Sequence, residues 1–206
     1  MEIELKYLVD SYSKIDKIFS DSYIVSIMDE DSEEEIEMEA VYFDTAERRL
    51  SREGIIFRVR REGNKIIATL KWNGVSEEGL HKREEINVPV VDEDKLRNPD
   101  IDIFSQSQMH QTLIDLIGEK ELVPVMTMEF VRRQVRIDTG VCICELSADT
   151  GEISCGGKTA PISEIELELY SGSDADMEKL GEQLCDKYYL KPGVKSKFKQ
   201  GLDLLK

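Results

Sequence analysis

Two stretches near opposite ends of the chain alternate charged and apolar residues with the same period of two. Residues 2–7 read Glu-Ile-Glu-Leu-Lys-Tyr, and residues 164–169 read Glu-Ile-Glu-Leu-Glu-Leu. Successive side chains of a β-strand point to opposite faces, so each stretch predicts a strand with one charged face and one apolar face. This pattern constrains the fold, because the apolar face requires cover and the charged face requires water or a polar cavity.

Other stretches carry cations at the same spacing. Arg58 and Arg60 flank an apolar residue, Lys71 follows an apolar run, and Arg83 and Glu85 occupy alternate positions further along. For any one strand, a half-buried sheet with its charged face in water explains the pattern. Its recurrence on most strands favours a barrel with polar residues inside and helices outside, because like charges on one face need opposite charge between them. Such a cavity suits a metal ion and a polyanion.

Turn-forming residues separate the predicted strands. Gly63-Asn64 and Thr139-Gly140 each predict a hairpin, and residues 29–35 predict a solvated acidic loop. The predicted strands are 2–9, 22–29, 36–44, 55–62, 65–72, 80–90, 124–138, 141–148 and 162–170. The predicted helices are 11–19, 92–98, 109–118 and 174–188, with a last short helix after 195–197, and 151–161 is predicted to be rich in turns. Strands in hairpin order imply an antiparallel sheet.

Length and charge limit the classes of function. A chain of 206 residues predicts a single domain, 1–206, with a substantial core. A net charge of -16 argues against broad nucleic-acid or membrane-surface binding, because both need a basic face. It does not exclude an anionic ligand, since the local field inside a basic cavity decides binding there. The sequence also predicts no transmembrane helix and no signal peptide, so a cytoplasmic location is expected.

The four cysteines predict free thiols in a reducing compartment. Cys142 and Cys144 are two residues apart, too close for a normal disulfide within one strand, and the chain has no C-x-x-C pair. With two histidines in the sequence, a zinc site is not expected. Buried structural cysteines are therefore the favoured interpretation.

Eight short elements occur along nearly the whole chain in a fixed order. They are Glu2-x-Glu4-x-Lys6, Tyr42-Phe43-Asp44-Thr45, Leu50 with Gly54 and Arg58-Val59-Arg60, Thr69-Leu70-Lys71, Arg83 with Glu85, Asp149 with Gly151, residues 164–169, and Ser196-Lys197 with Gly201. Each element alone is a weak signal, but together and in this order they resemble the motifs of the CYTH superfamily, the triphosphate tunnel metalloenzymes. The resemblance implies an α+β fold, in which an eight-stranded antiparallel β-barrel forms a tunnel and helices pack outside it.

The resemblance also implies an activity, the metal-dependent hydrolysis of inorganic tripolyphosphate to pyrophosphate and phosphate. The chain looks most like the bacterial inorganic triphosphatases of the superfamily. Those often carry a C-terminal CHAD domain, which is not expected here because the CYTH elements run to the end of the sequence. Thiamine triphosphatase and class IV adenylate cyclase are alternatives within the same fold. A non-catalytic polyphosphate-binding module and a structural sheet protein are alternatives of other classes. A monomer or a homodimer is expected.

A polyanion without a ring or base has to be recognised through its charge. Arginine is favoured for this because its planar fork meets phosphate oxygens in pairs. The predicted substrate-binding residues are Lys6, Arg58, Arg60, Lys71, Arg83, Arg132 and Lys197. Whether Arg132, Arg133 or Arg136 faces the tunnel stays open, because the sequence does not fix the strand register.

Carboxylates suit hard ions, so Mg2+ or Mn2+ is the expected cofactor. The predicted metal ligands are Glu2, Glu4, Asp149, Glu164, Glu166 and Glu168. The resemblance implies one metal on the substrate phosphates and a second that activates a water. Glu2 and Glu4 are predicted to orient that water and Lys6 to hold the acids in register, so these three are the predicted catalytic residues. Phosphoryl transfer mainly requires positioning and charge, so no nucleophilic side chain is needed.

Three positions bear on substrate choice. Asn87 stands where a further acidic residue would extend the face of Arg83 and Glu85. Phe130 stands two residues before Arg132, where many superfamily members carry a second basic residue. Trp72 is predicted to point out of the tunnel and pack under a helix, in preference to stacking on thiamine.

Overall fold

The computed structural model describes the backbone of residues 1–206 and every side chain except that of Glu30. Over these residues the strands are β1 (Glu2–Leu8), β2 (Glu34–Thr45), β3 (Ile56–Glu62), β4 (Lys65–Glu77), β5 (Leu80–Val90), β6 (Leu122–Asp138), β7 (Ile143–Cys155), β8 (Lys158–Ser171) and β9 (Lys191–Pro192). The α-helices are α1 (Tyr12–Phe19), α2 (Ser22–Ile27), α3 (Arg49–Arg52), α4 (His110–Ile117), α5 (Asp174–Tyr188) and α6 (Lys197–Asp203). Short 3-10 helices cover Glu30–Ser32, Glu93–Leu96 and Ile101–Phe104.

The strands close into an eight-stranded antiparallel barrel. Their order is β5-β4-β3-β2-β6-β7-β8-β1, and β1 pairs again with β5. The first half of β1 pairs with β5, and Tyr7 and Leu8 then pair with the two residues of β9. Closure leaves the eight long strands without an open edge. The predicted fold class, a closed eight-stranded antiparallel barrel with helices, is confirmed.

The outer face of the barrel is apolar and is covered by helices in two clusters. On one side, α1, α2 and α5 bury Ile18, Ile24 and Met177 against the outer faces of β1, β6, β7 and β8. On the other side, α3 and α4 bury Leu50 and Leu113 against β2–β5. All five side chains are fully buried. Burial of each contributes about 1.5 to 3 kcal/mol, so the apolar halves of the alternating strands stabilise the barrel from outside.

The last helix, α6, differs from the others because it packs on the inward face of the barrel. A third apolar cluster includes Tyr42 and Met126, which share the inner face with Arg58 by strand register. Phe198 of α6 stacks on Tyr42, with ring centroids 5.3 Å apart. Gly201 allows the close approach, because a Cβ there would overlap the Met126 thioether. The expectation of helices packed outside therefore holds for α1–α5, whereas α6 lies against the inner wall.

Two predicted segments differ in the structure. Residues 22–29 are predicted to be a strand but contain α2, whose first turn is capped by the Asp21 carboxylate accepting from the Tyr23 amide at 2.8 Å. A short apolar run does not separate strand from helix by periodicity alone. Residues 151–161 are predicted to be turn-rich, yet β7 and β8 extend through them and meet at Gly156-Gly157. Both glycines have positive φ, so they form a tight hairpin turn between paired strands.

Other expectations are confirmed. Cys142 and Cys144 are free thiols buried in the first outer cluster. Trp72 packs against the second outer cluster and points away from the barrel interior. One bound differs: β4 continues to Glu77, beyond its predicted end at residue 72, and its pairing with β5 has a register shift between Trp72 and Val75. Among the described residues, no helix has the length and apolar character needed to cross a membrane.

Candidate functional site

The barrel encloses a cavity of 740 Å³ that receives side chains from all eight long strands and from α6. Its charged lining includes Glu2, Glu4, Lys6, Arg58, Arg60, Lys71, Arg83, Glu85, Arg132, Glu145, Glu166, Glu168 and Lys197. Of the predicted site residues, Asp149 and Glu164 are the two that do not line the cavity. They lie directly behind it, 0% and 1% exposed, in contact with Lys197. The structure thus brings all the predicted residues together in and just behind one cavity.

Strand register brings residues from opposite ends of the sequence into contact. Lys6 pairs across the strands with Glu166, and Glu4 pairs with Glu168. The Lys6 ammonium lies 2.8 Å from Glu166 Oε1 and 3.4 Å from Glu164 Oε1. Burial alone would lower the pKa of Lys6, but Glu164 and Glu166 outweigh it and raise the pKa above its ordinary value. Lys6 therefore stays charged and ties β1 to the acidic strand β8.

Arg132, Lys197, Asp149, Glu164 and Glu166 form a buried ion-pair network. Arg132 donates to both oxygens of Asp149, from Nε at 2.7 Å and from Nη2 at 2.6 Å, and Nη2 also donates to Glu166 at 2.7 Å. Lys197 Nζ lies 2.6 Å from Asp149 Oδ2 and 2.8 Å from Glu166 Oε1, and it contacts Glu164. Burial would raise the pKa of Asp149, but Arg132 and Lys197 together hold it below its ordinary range. Together with Lys6, which contacts Glu164 and Glu166, the cations of this network number three and balance its three carboxylates.

A second network lies where β1 meets β5. Lys71 Nζ is 2.7 Å from Glu2 Oε1 and also contacts Glu85. Arg83 contacts Glu2 through Nε and donates from Nη2 to Glu4 Oε1 at 2.7 Å. Burial would raise the pKa of Glu85, yet Lys71 lowers it to about 2. Lys71 and Arg83, two of the predicted substrate-binding cations, are thus both ion-paired with Glu2. Lys71 also contacts Glu85, and Arg83 also contacts Glu4.

Three carboxylates have geometry that suits one metal ion. Oxygen atoms of Asp149, Glu164 and Glu166 lie within 4.8 Å of one another, close enough to be ligands of one cation. Lys197 Nζ contacts all three groups, so its ammonium takes the place of a cation among them. A metal ion there would have to displace Lys197. The negative charge of the predicted metal ligands Asp149, Glu164 and Glu166 is therefore offset by Lys197 of the chain itself.

The side of the predicted metal set around Glu168 has an excess of negative charge. Among the described side chains, none forms an ion pair with Glu168. Its neighbour across the strands, Glu4 on β1, is a second carboxylate. Burial, followed by the nearby Glu2 carboxylate, raises the pKa of Glu168 to about 7. Glu145 adds to the same effect. A divalent cation would relieve this repulsion, and oxygen ligands are the ones that Mg2+ and Mn2+ prefer, so these residues fit such an ion.

The opposite wall has an excess of positive charge. Arg58 Nε is buried without a hydrogen-bond partner in the described part of the chain, and its Nη2 makes only a long contact, 3.4 Å, with Thr69 Oγ1. Arg60 donates from Nε to Glu62 Oε1 at 2.7 Å. Burial and the neighbouring Arg58 lower the pKa of Arg60. A buried guanidinium nitrogen without a partner is costly, and an anion with several oxygens would satisfy it.

The structure settles which arginine of β6 faces the tunnel. Arg132 points inward, whereas Arg133 points outward, where it donates to Glu33 at 2.6 Å and stacks over the Phe19 ring. Arg136 is exposed to solvent. Phe130 also faces the cavity, and Lys197 Nζ lies 5.6 Å from its ring centroid. Phe130, for which the resemblance implies a second basic residue, thus supplies a ring beside Lys197.

Among the cavity-lining groups that the sequence did not predict, two are in contact with each other beside Glu168. Glu145 on β7 lies between two apolar residues, so the same period-two alternation marks it as charged on the inner face. Tyr170, two residues after Glu168 on β8, donates from its hydroxyl to Glu145 Oε2 at 2.7 Å. Neither residue belongs to an element of the resemblance, which explains why both were overlooked.

Comparison with known proteins identifies the family. Residues 1–202 match the model of the CYTH domain, and the chain belongs to that family. Over 144 residues it is 28% identical to the inorganic triphosphatase of Haemophilus influenzae. That alignment covers 69% of this chain and 39% of the relative, so the chain matches about two fifths of that protein's length. The predicted superfamily is therefore confirmed.

Solved structures with the same fold include two that cover almost the whole chain. A Hippeastrum protein named as an adenylyl cyclase and described as having a dominant triphosphatase activity gives a TM-score of 0.71 at 23% identity, with 96% of this chain and 93% of that chain covered. A Bacillus halodurans protein proposed to be an adenylate cyclase gives 0.61 at 20% identity, with 97% and 96% covered. At these identities the likeness shows the shared fold.

Proposed function

We propose that this chain hydrolyses inorganic tripolyphosphate to pyrophosphate and phosphate with the help of a divalent metal ion. The observation that carries the proposal is the separation of charge within one cavity. Carboxylates in excess surround Glu168, and arginines in excess, Arg58 and Arg60, lie on the wall formed by β3. A linear triphosphate with bound metal has the complementary charges. The similarity to a protein named inorganic triphosphatase supports the same substrate class.

The proposed metal is Mg2+ or Mn2+, and the proposed ligands are Glu2, Glu4 and Glu168, with Glu166 beside them. When bound, such an ion neutralises charge on phosphate oxygens and lowers the pKa of a bound water. The chain's own cations complete the charge balance around the substrate. Asp149 and Glu164 have a different role in this proposal, since neither lines the cavity and Lys197 contacts both behind its wall.

The proposed role of Arg58 and Arg60 is to bind the phosphate oxygens. A guanidinium offers paired donors, and the partnerless Arg58 Nε supplies one that the protein leaves unused. Lys6 holds the β8 carboxylates in register with β1 through its contacts with Glu164 and Glu166. The proposed role of Glu2 and Glu4 is to accept hydrogen bonds from the attacking water and orient it. Phosphoryl transfer needs little more from a protein than positioning and charge.

Phosphate release tests the proposal directly. Tripolyphosphate, ATP and thiamine triphosphate are compared with Mg2+, with Mn2+ and with EDTA. Rapid release from tripolyphosphate that EDTA abolishes is expected. Arg61→Ala is the matched control for Arg58→Ala, because Arg61 lies on the same strand and points outward, 3.7 Å from Glu39. Tight tripolyphosphate binding without release from any substrate would instead identify a non-catalytic binding module and overturn the catalytic assignment.

An organic triphosphate is a second candidate substrate, favoured by one observation. Ile36, Met38, Ile67 and Phe130 give the cavity an apolar wall that an inorganic chain does not need. A ring attached to the triphosphate would bury apolar surface there. Higher kcat/KM for thiamine triphosphate or ATP than for tripolyphosphate would favour this candidate, and the Phe130→Ala variant would then lose more activity on the organic substrate.

A further inference from the structure

Three carboxylates stand side by side on the inner face of three neighbouring strands. By register, Glu4 on β1 is opposite Glu168 on β8, and Glu168 is opposite Glu145 on β7. Side chains directly opposite each other on antiparallel strands have Cβ atoms about 4.5 to 5.5 Å apart, and like charges at such positions destabilise the pair. A cation near the row would therefore stabilise it.

The protein supplies cations unevenly along this row. Glu4 accepts from Arg83 Nη2 at 2.7 Å, whereas Glu168 forms no ion pair with any described side chain. Glu145 is 16% exposed, and the nearest cationic nitrogen, Arg132 Nη1, is 3.9 Å from its Oε1. The Nε and Nη2 donors of Arg132 are already committed to Asp149 and Glu166. Glu168 and Glu145 thus remain without close compensation.

Tyr170 fixes the orientation of Glu145. Its hydroxyl donates to Glu145 Oε2 at 2.7 Å, and both side chains line the cavity. With Oε2 engaged by a neutral donor, Oε1 keeps its lone pairs for another ligand. A tyrosine phenol is protonated at neutral pH, so the hydroxyl acts as the donor in this pair. Metal-binding side chains commonly need such a hydrogen bond to set their geometry.

We propose that Glu145 is a further metal-binding carboxylate of this cavity, acting with Glu168 and Glu4, and that Tyr170 is its positioning residue. The proposal rests on the metal dependence proposed above and adds a ligand from β7 to the set on β1 and β8. Hard divalent ions take about six oxygen ligands, of which carboxylates, water and substrate oxygens each supply some. A ligand from β7 would secure the ion on the side away from Arg83.

Mn2+ binding without substrate tests this separately from hydrolysis. Isothermal titration of Mn2+ into the metal-free protein is compared for the wild type, Glu145→Gln and Tyr170→Phe. The dissociation constant should rise by about 10-fold or more for Glu145→Gln and by a smaller factor for Tyr170→Phe. Glu152→Gln is the matched control, since Glu152 is an exposed glutamate on the same strand, and its affinity should equal that of the wild type.

Unfolding in EDTA distinguishes lost ligation from lost structure. Glu145→Gln removes a like charge beside Glu168, so its melting temperature without metal should equal or exceed that of the wild type. Its increase in melting temperature on adding Mn2+ should be smaller than that of the wild type. If Glu145→Gln folds poorly, Glu145→Asp, which keeps the charge but shortens the side chain, should show the same loss of Mn2+ affinity.

The outcomes separate this proposal from the proposed function. Mn2+ affinity of Glu145→Gln within about twofold of the wild type, below the loss expected for even an outer-shell group, would overturn the assignment of Glu145. That result would stand whether or not the protein hydrolyses triphosphate. Weakened Mn2+ binding in Glu145→Gln with no hydrolysis by the wild type would support the assignment while refuting the proposed reaction.

Discussion

Asp149→Asn should destabilise the protein even without metal, because Asp149 holds two buried cations. Arg132 donates to both of its oxygens at 2.7 and 2.6 Å, and Lys197 lies 2.6 Å away. The side chain is fully buried, so water cannot replace the lost charge. Asparagine keeps the shape and one acceptor oxygen but presents an amide NH2 group to one of the two cations. The expected effect is a loss of stability that does not depend on any bound ion.

The size of the effect follows from the burial of the pair. Removing one partner of a buried ion pair costs about 3 to 5 kcal/mol. Because asparagine keeps one acceptor, and Glu164 and Glu166 still contact Lys197, we expect the lower end, about 3 kcal/mol. For a domain of this length, each kcal/mol lowers the melting temperature by roughly 2 to 4 °C, which gives a decrease of roughly 6 to 12 °C.

Urea unfolding followed by circular dichroism, in EDTA, measures this loss. The midpoint should fall with an unchanged dependence of the free energy on urea, and Glu152→Gln should stay within about 0.5 kcal/mol of the wild type. A loss below about 1 kcal/mol in EDTA, far short of that expected for a broken buried pair, would contradict the reasoning. If the same variant also lost Mn2+ affinity, Asp149 would be a metal ligand and not part of the ion-pair framework.

Three further predictions concern the cavity. Burial and Glu2 raise the pKa of Glu168 to about 7, above its ordinary value of 4.5, so the folded state binds this proton more tightly than the unfolded state. Its contribution to stability is therefore present below about pH 4.5 and is lost as the pH rises through 7. Urea unfolding in EDTA at a series of pH values should show a smaller loss of unfolding free energy with rising pH for Glu168→Gln than for the wild type. The same pH dependence in both proteins would refute the raised pKa. Arg58→Ala should lower kcat/KM for tripolyphosphate by about 10-fold or more, as expected for a charged hydrogen bond, while Arg61→Ala leaves it unchanged in the phosphate-release assay. Glu4→Gln should abolish turnover but retain tripolyphosphate binding by calorimetry, and wild-type activity would remove Glu4 from the metal site.

The barrel could be predicted because the alternation of charged and apolar residues indicates which face of each strand is apolar. The alternation at residues 2–7 and 164–169 assigns charged residues to one face. Lys6 pairs with Glu166 across the strands and both side chains line the cavity, so both charged faces point inward. Residues 22–27 could not be assigned in the same way. Their sequence, SYIVSI, has β-branched residues but is too short for its period to be read, and the Asp21 cap and burial of Ile24 decide for a helix.

The position of α6 also depends on tertiary contacts that a local pattern does not contain. Phe198 directly follows Lys197 in the sequence. In the structure Lys197 meets Asp149, in agreement with its predicted place at the cavity, and Phe198, for which the sequence predicts no place, is also directed to the inner wall, where it meets Tyr42. Both side chains find partners there, because strand β6 supplies apolar side chains for Phe198 and strands β7 and β8 supply carboxylates for Lys197.

The site shows where motif and physical pattern give different answers. The motif led to Asp149 as a metal ligand, whereas the structure gives its carboxylate two cationic partners, Arg132 and Lys197. The motif did not include Glu145, although its place between Cys144 and Leu146 on a strand follows the alternation that identifies Glu166 and Glu168. Alternation tells which side chains enter the cavity, but only the register tells which of them meet a cation. A carboxylate that lines the cavity and is left without a cation after the strands have paired, such as Glu168, is therefore a better candidate for a metal ligand than a carboxylate held behind the wall by two cations, such as Asp149.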